Sequence, residues 1–176
     1  MDIFAHAIWT SIAAKELNEK RLKEKRNRIS IYWSAFWGIF PDLFAFSIPF
    51  ALFIAGLQNG VSFKIQFHEH GGPGELANIL YHYSHSLVIF ALVFVLVWLY
   101  YKRPRLELLG WMLHILIDIP THSLKFYPTP FLWPISNYHF PYGVPWSEPW
   151  FMLINYSVLL CVLTLTIYRN RISAKF

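Results

Sequence analysis

Gly110-Trp111-Met112-Leu113-His114-Ile115-Leu116-Ile117-Asp118-Ile119-Pro120-Thr121-His122 sets two imidazoles and a carboxylate in an otherwise oily run. If the run is helical, His114 and Asp118 stand one turn apart on one face. An aspartate at the centre of a membrane helix costs roughly 2.5–3.5 kcal/mol on insertion scales, so Asp118 needs a partner. A hydrogen-bonded Asp–His pair holding helices together is the plainer option. A metal site is the sharper one.

The rest of the chain says where that run lies. Over 176 residues the sequence is 56% hydrophobic and 19% aromatic, with a mean hydropathy of +0.37. Soluble domains are about 45–50% apolar, so an ordinary soluble protein is excluded. Five apolar stretches organise it: Ile3 to Ala14, Ile31 to Leu57, Ala77 to Tyr101, Leu106 to Ile119 and Trp150 to Tyr168. A full span needs about 20 residues, so the second, third and fifth qualify and the other two are short. The expected fold is an all-α, polytopic membrane bundle of about five helices, two of them short or half-spanning, forming a single domain over 1–176. Pro41 removes a helix hydrogen bond, which predicts a break or kink near Gly38-Ile39-Phe40-Pro41-Asp42. No basic segment precedes the first apolar run, so no cleaved signal is expected. The lone Cys161 permits no internal disulfide and is expected to be a small apolar filler.

Charge placement supplies an orientation. Of 15 Lys and Arg, seven fall between Lys15 and Arg28, three between Lys102 and Arg105, and three at Arg169, Arg171 and Lys175. With the last four stretches crossing alternately, these clusters share one side, which the positive-inside rule makes cytoplasmic. The loops Gln58–Leu76 and Thr121–Pro149 then face outward. Glu16, Glu19 and Glu24 dilute the basic run, so topology or anionic lipid explains it and no nucleic-acid partner is expected.

Counting about 1.5 Å per residue from the cytoplasmic side places His6 roughly 14 Å deep, Asp42 roughly 17, His85 roughly 24, His114 roughly 12 and Asp118 roughly 18 Å. Helices that start far apart in sequence thus deliver imidazoles and carboxylates to neighbouring levels. Each residue also has a plainer reading: Asp42 as a turn residue beside Pro41, His82 and His85 as interfacial residues, His6 as a core histidine. His122, beyond Pro120, either folds back over the His114/Asp118 face or points to water. His68-Glu69-His70 looks metal-like, but its glycine-rich loop holds it poorly. In the Pro- and aromatic-rich stretch from Phe126 to Trp150, His139 and Glu148 are candidates for a second centre, and the rings suit an interfacial belt or a lid.

Taken as an ordered set, Asp2 and His6, Pro41-Asp42, Ser84-His85-Ser86 and His114-x-x-x-Asp118-x-x-Thr121-His122 resemble a family of bacterial and archaeal membrane-bound metal-dependent hydrolases. That family is described as LexA-binding and inner-membrane-associated, and the resemblance runs from Met1 to about His122. It is in turn similar to the all-helical zinc-dependent phospholipase C and single-strand nuclease superfamily. The resemblance implies that Asp42, His85, His114 and Asp118 ligate one metal, with Asp42 and Asp118 as the catalytic carboxylates. It also implies that Asp118 bridges to a second metal held by His6, and that His122 is the first ligand of a third. The His-x-x-x-Glu pair that would complete the third centre is not found after His122, so one or two ions are expected. Asp2 stands where it could substitute for the freed amino terminus that ligates in secreted relatives.

Imidazole and carboxylate suit zinc first, with manganese or iron as alternatives. The implied reaction is attack of metal-activated water on a phosphoester, at a site opening to the outer face of a bacterial or archaeal cytoplasmic membrane. Membrane lipid is the expected partner and an amphiphilic phosphoester the expected substrate. The alternatives are a small ion- or proton-binding transporter, since intramembrane Asp and His also mark ion pathways, and a membrane anchor without catalysis.

Overall fold

A computed structural model describes residues 1–58 and 73–173. It is helical: α1 (Ile3–Lys23), α2 (Ile31–Gln58), α3 (Pro73–Ser84), α4 (Leu87–Tyr101), a 3-10 turn at Leu106–Leu108, α5 (Leu109–Thr121) and α6 (Pro149–Ser173). No strand occurs among the described residues, where an isolated bridge joins Ser123 and Phe126. His68, Glu69 and His70 lie outside the described residues.

Two helices are long and apolar enough to cross a membrane, over Ile31–Gly56 and Pro149–Arg169. The third apolar stretch is not one helix. It divides at Ser84-His85-Ser86 into α3 and α4, bent by 59° to one another, so the described residues form six α-helices rather than about five. A break at membrane depth leaves backbone groups that need partners. Trp111 Nε1 donates to the Ser84 carbonyl at 2.6 Å, and the Leu87 amide donates to the Phe131 carbonyl at 3.0 Å. Ser86 Oγ caps α4 by accepting from the amides of Val88 and Ile89 at 3.1 and 3.2 Å, and donates to the Trp133 carbonyl. The aromatic loop after α5 therefore straps the broken helix from outside.

Where the sequence suggests a break at Pro41, α2 runs on without interruption through both Pro41 and Pro49. Pro41 is buried and costs one backbone bond, to Trp37, which packing around it offsets. Helix α1 extends past its apolar run to Lys23, because Glu, Lys, Leu and Arg are all good helix formers. It stops at Glu24, with Lys25 in the left-handed region at φ 54°. Asn18 then pairs with both backbone groups of Ile29, at 2.9 and 2.8 Å, and turns the chain into α2.

Helix α2 is the hub, packing against α1, α3 and α5. Lipid tails are as apolar as side chains, so close backbone approach does what the hydrophobic effect does in water. Gly38 faces Thr10 of α1 and Gly110 faces the Ser34 carbonyl of α2, both too closely for a Cβ. Rings fill the space beside this crossing: Trp111 stacks on Trp37 at 6.2 Å and meets Phe40 edge-on at 5.3 Å. Large apolar side chains on α4 and α6, such as Leu96 and Leu160, stay exposed, as does Cys161, which is a surface residue of α6 and not a core filler. Arg169 of α6 pairs with Glu16 and Glu19 of α1, and the Ser30 amide donates to Glu107 at 3.3 Å.

Gly110→Val should drive α5 off α2, because the new carbon meets backbone and not a flexible side chain. Overpacking of this kind costs about 1–3 kcal/mol. Thermal unfolding in detergent should show a clear loss of stability, whereas Leu160→Val on the exposed face of α6 should leave it nearly unchanged.

Candidate metal centre

Asp118 is fully buried, and four imidazoles turn the same nitrogen, Nε2, toward it. Oδ1 lies 3.0 Å from His6 and 3.8 Å from His122; Oδ2 lies 3.0 Å from His114 and 3.5 Å from His85. Asp42 stands on the far side of the second pair, its Oδ1 3.5 Å from His85 Nε2 and 3.7 Å from His114 Nε2. Ligand atoms of Asp42, His85, His114 and Asp118 all fall within 4.8 Å of one another. Three elements supply them: α2, the α3/α4 break, and two successive turns of α5.

The outer nitrogens of these rings are tied down, and that decides what the inner ones offer. His114 Nδ1 donates to the Gly38 carbonyl at 2.7 Å. A carbonyl can only accept, so the His114 proton sits on Nδ1 and Nε2 carries a lone pair. His85 Nδ1 lies 2.9 Å from Ser84 Oγ, which also lies 3.4 Å from the Tyr81 carbonyl. The two Nε2 atoms face one another at 3.0 Å, and with Nδ1 protonated on both rings they meet as two acceptors. Asp118 Oδ2 beside them is buried with no hydrogen-bond donor. Lone pairs this close repel unless a cation or a proton stands between them.

Around Oδ1 the arrangement differs. The Met1 amino group donates to it and lies 3.3 Å from His122 Nε2. His122 Nδ1 is 2.8 Å from the Tyr81 hydroxyl, which also lies 3.1 Å from the Tyr127 carbonyl, so Tyr81 fixes the ring from behind. His6 stacks on His114 with centroids 3.7 Å apart, its Nδ1 buried without a partner.

Other candidates lie elsewhere. Asp2 caps α1, with Oδ1 accepting from Phe4 and Ala5 and from the Tyr156 hydroxyl at 2.8 Å. His82 donates from Nδ1 to the Asn78 carbonyl at 2.8 Å, outside the cluster. His139 is half-buried in the loop, where burial and the nearby His82 lower its pKa. Glu148 is exposed ahead of α6. Sequence reasoning passed over three supports: Tyr81, Trp111 and the Gly38 carbonyl. Tyr81 alone left a signal, since it precedes His85 by four residues and shares its helix face; their rings stack at 3.8 Å.

Beside Asp42 opens a cavity of about 540 Å³, lined at its polar end by Asp42, Tyr81 and His122 and elsewhere by apolar side chains such as Phe46, Phe126 and Trp146. Asp42 keeps 18% of its side chain exposed there, while His85, His114 and Asp118 are sealed. Burial pushes the Tyr127 phenol at the rim up to about 12, so it stays neutral.

Apolar spans around a sealed histidine–aspartate nest define a helical membrane protein with a cluster suited to a metal ion. The chain matches the family described as YdjM inner membrane protein over residues 1–175 and belongs to it. That description names a place and no reaction. No curated protein and no solved structure matches the chain.

Tyr81→Phe keeps the ring against His85 and removes the hydroxyl between His122 and Tyr127. Leaving buried groups unpaired should cost about 1–3 kcal/mol, read as a lower unfolding midpoint in detergent.

Proposed function

We propose that this inner membrane protein is a metal-dependent hydrolase of amphiphilic phosphoesters, with Asp42, His85, His114 and Asp118 holding the ion. One observation carries the reading: nitrogens of two imidazoles and oxygens of two carboxylates converge within 4.8 Å of one another, and Asp118 Oδ2 among them has no hydrogen-bond partner. Ligands of a tetrahedral zinc at about 2.0–2.1 Å would stand about 3.3–3.4 Å apart, within that bound. Bonds from Nδ1 to a carbonyl and a hydroxyl are the outer-shell pattern that sets ligand histidines. A divalent ion there would supply Lewis acidity and acidify water toward a pKa of about 7.

The residues do the rest. His85, His114 and Asp118 form the sealed wall, and Asp42 reaches the cavity, so substrate and water approach past Asp42. Among the described residues no Lys or Arg lines the cavity, so the cation, beside the Met1 amino group, would recognise an anionic phosphoester. Asp42 and Asp118 are the carboxylates placed to orient the attacking water. The spread of ionisable groups through the membrane that a transporter would need is replaced by convergence at one carboxylate. With the basic clusters cytoplasmic, the loop bearing Tyr127 and Trp146 opens the site toward the outer face.

Detergent-purified protein should carry zinc, manganese or iron and hydrolyse members of a phosphodiester and phospholipid panel. His114→Ala and Asp118→Asn should lose the metal and the activity while remaining inserted. Protein free of all three metals, and inert when they are added back, would mean that a shared proton bridges the imidazoles and would sink the hydrolase.

Sidedness can be read separately in a Cys161→Ser background. Membrane-impermeant thiol reagent applied outside should label Tyr142→Cys and spare Glu24→Cys. The opposite pattern overturns the outward-facing site.

A further inference from the structure

The cavity is open along one helix, and that helix faces lipid. Asp42, Leu43, Phe46, Ser47 and Phe50 of α2 all line it, repeating at helical spacing over two turns. From Asp42 to Phe50 is about 12 Å along the axis. The head of this strip is the buried cluster. Its far side is surface: Leu43 is 38% and Phe50 60% exposed, and Ser47 is exposed between them. Because α2 is itself a candidate membrane span, a surface residue at its middle meets acyl chains rather than water. Phe126 and Trp146, with centroids 6.0 Å apart, form the opposite wall from the loop.

We propose that this strip is a lateral portal, through which an amphiphile with a single extended hydrocarbon chain and a phosphate head slides head-first from the bilayer to Asp42, its chain lying along Phe46 and Phe50. The volume suits one drug-sized ligand, and the lining is mostly apolar, with Asp42 and His122 at the cluster and Ser47 along the strip. The phosphate end rests on the reading of the cluster given above; the chain-binding strip stands on its own geometry. Leu43, Phe46, Phe50 and Trp146 become the residues that read chain length and branching, a role separate from holding the ion.

The test is photo-crosslinking in nanodiscs with a single-chain alkyl phosphate carrying a diazirine at its chain end, mapped by mass spectrometry. Adducts should concentrate on Phe46, Phe50, Phe126 and Trp146. Unlabelled long-chain alkyl phosphate should compete them away, and inorganic phosphate or a short-chain homologue should not. Ser47→Trp should lower the yield at least about tenfold, equivalent to about 1.4 kcal/mol of binding, while bound metal stays unchanged. Adducts scattered over the lipid faces of α4 and α6, or indifferent to long-chain competitor in the wild-type protein, overturn the portal. If adducts form at the portal in a protein that hydrolyses nothing, the portal stands and the hydrolase falls. If a soluble phosphodiester is hydrolysed but no portal adduct forms, the reverse holds.

Discussion

A carboxylate sealed from water and ringed by four imidazoles constrains every other part of this molecule. Asp118 can be buried only if its charge is answered, and the answers come from α1, the α3/α4 break, α5 itself and the end of α5. Three of the rings that face it are held from behind: His114 by the Gly38 carbonyl of α2, His85 by the neighbouring Ser84, and His122 by Tyr81 of α3. In a low-dielectric interior these bonds are strong when complete and costly when one is lost, so the helices are locked to one another through the nest.

That arrangement explains features that otherwise look like faults. A span interrupted at Ser84-His85-Ser86 gives up helical hydrogen bonds in the membrane, yet only a break lets His85 leave the helix path and face Asp118. The loop from Ser123 to Glu148 is more than an interfacial belt of rings, because its carbonyls at Phe131 and Trp133 take the donors that the break releases. Gly38 and Gly110 serve the same end. A side chain at either position would hold the helices apart, and His114 would no longer reach the Gly38 carbonyl.

Membership of the YdjM inner membrane protein family and the cavity along α2 bear on each other. A site built for soluble substrates would open through a polar vestibule. Here the lining is mostly apolar and runs along a helix that is long and apolar enough to cross a membrane, which is the setting the proposed amphiphile needs.

Sequence alone determined the membrane class, because runs of about 20 apolar residues have few other uses. It also singled out Asp42, His85, His114 and Asp118, since ionisable side chains in oily runs are conspicuous and the i, i+4 spacing of His114 and Asp118 is local. The number of helices was not legible, as Ala77 to Tyr101 reads as one continuous span; its break depends on Trp111 and Phe131, which are distant in sequence. At Pro41, where a break or kink is expected, the break does not occur, because packing around it keeps α2 continuous. The hydrogen bonds behind the histidines, the support from Tyr81 and the cavity beside Asp42 were decided by the tertiary structure alone. Each depends on which backbone carbonyl or ring lies behind a given side chain, and such contacts between separate helices leave no periodicity in the chain to read.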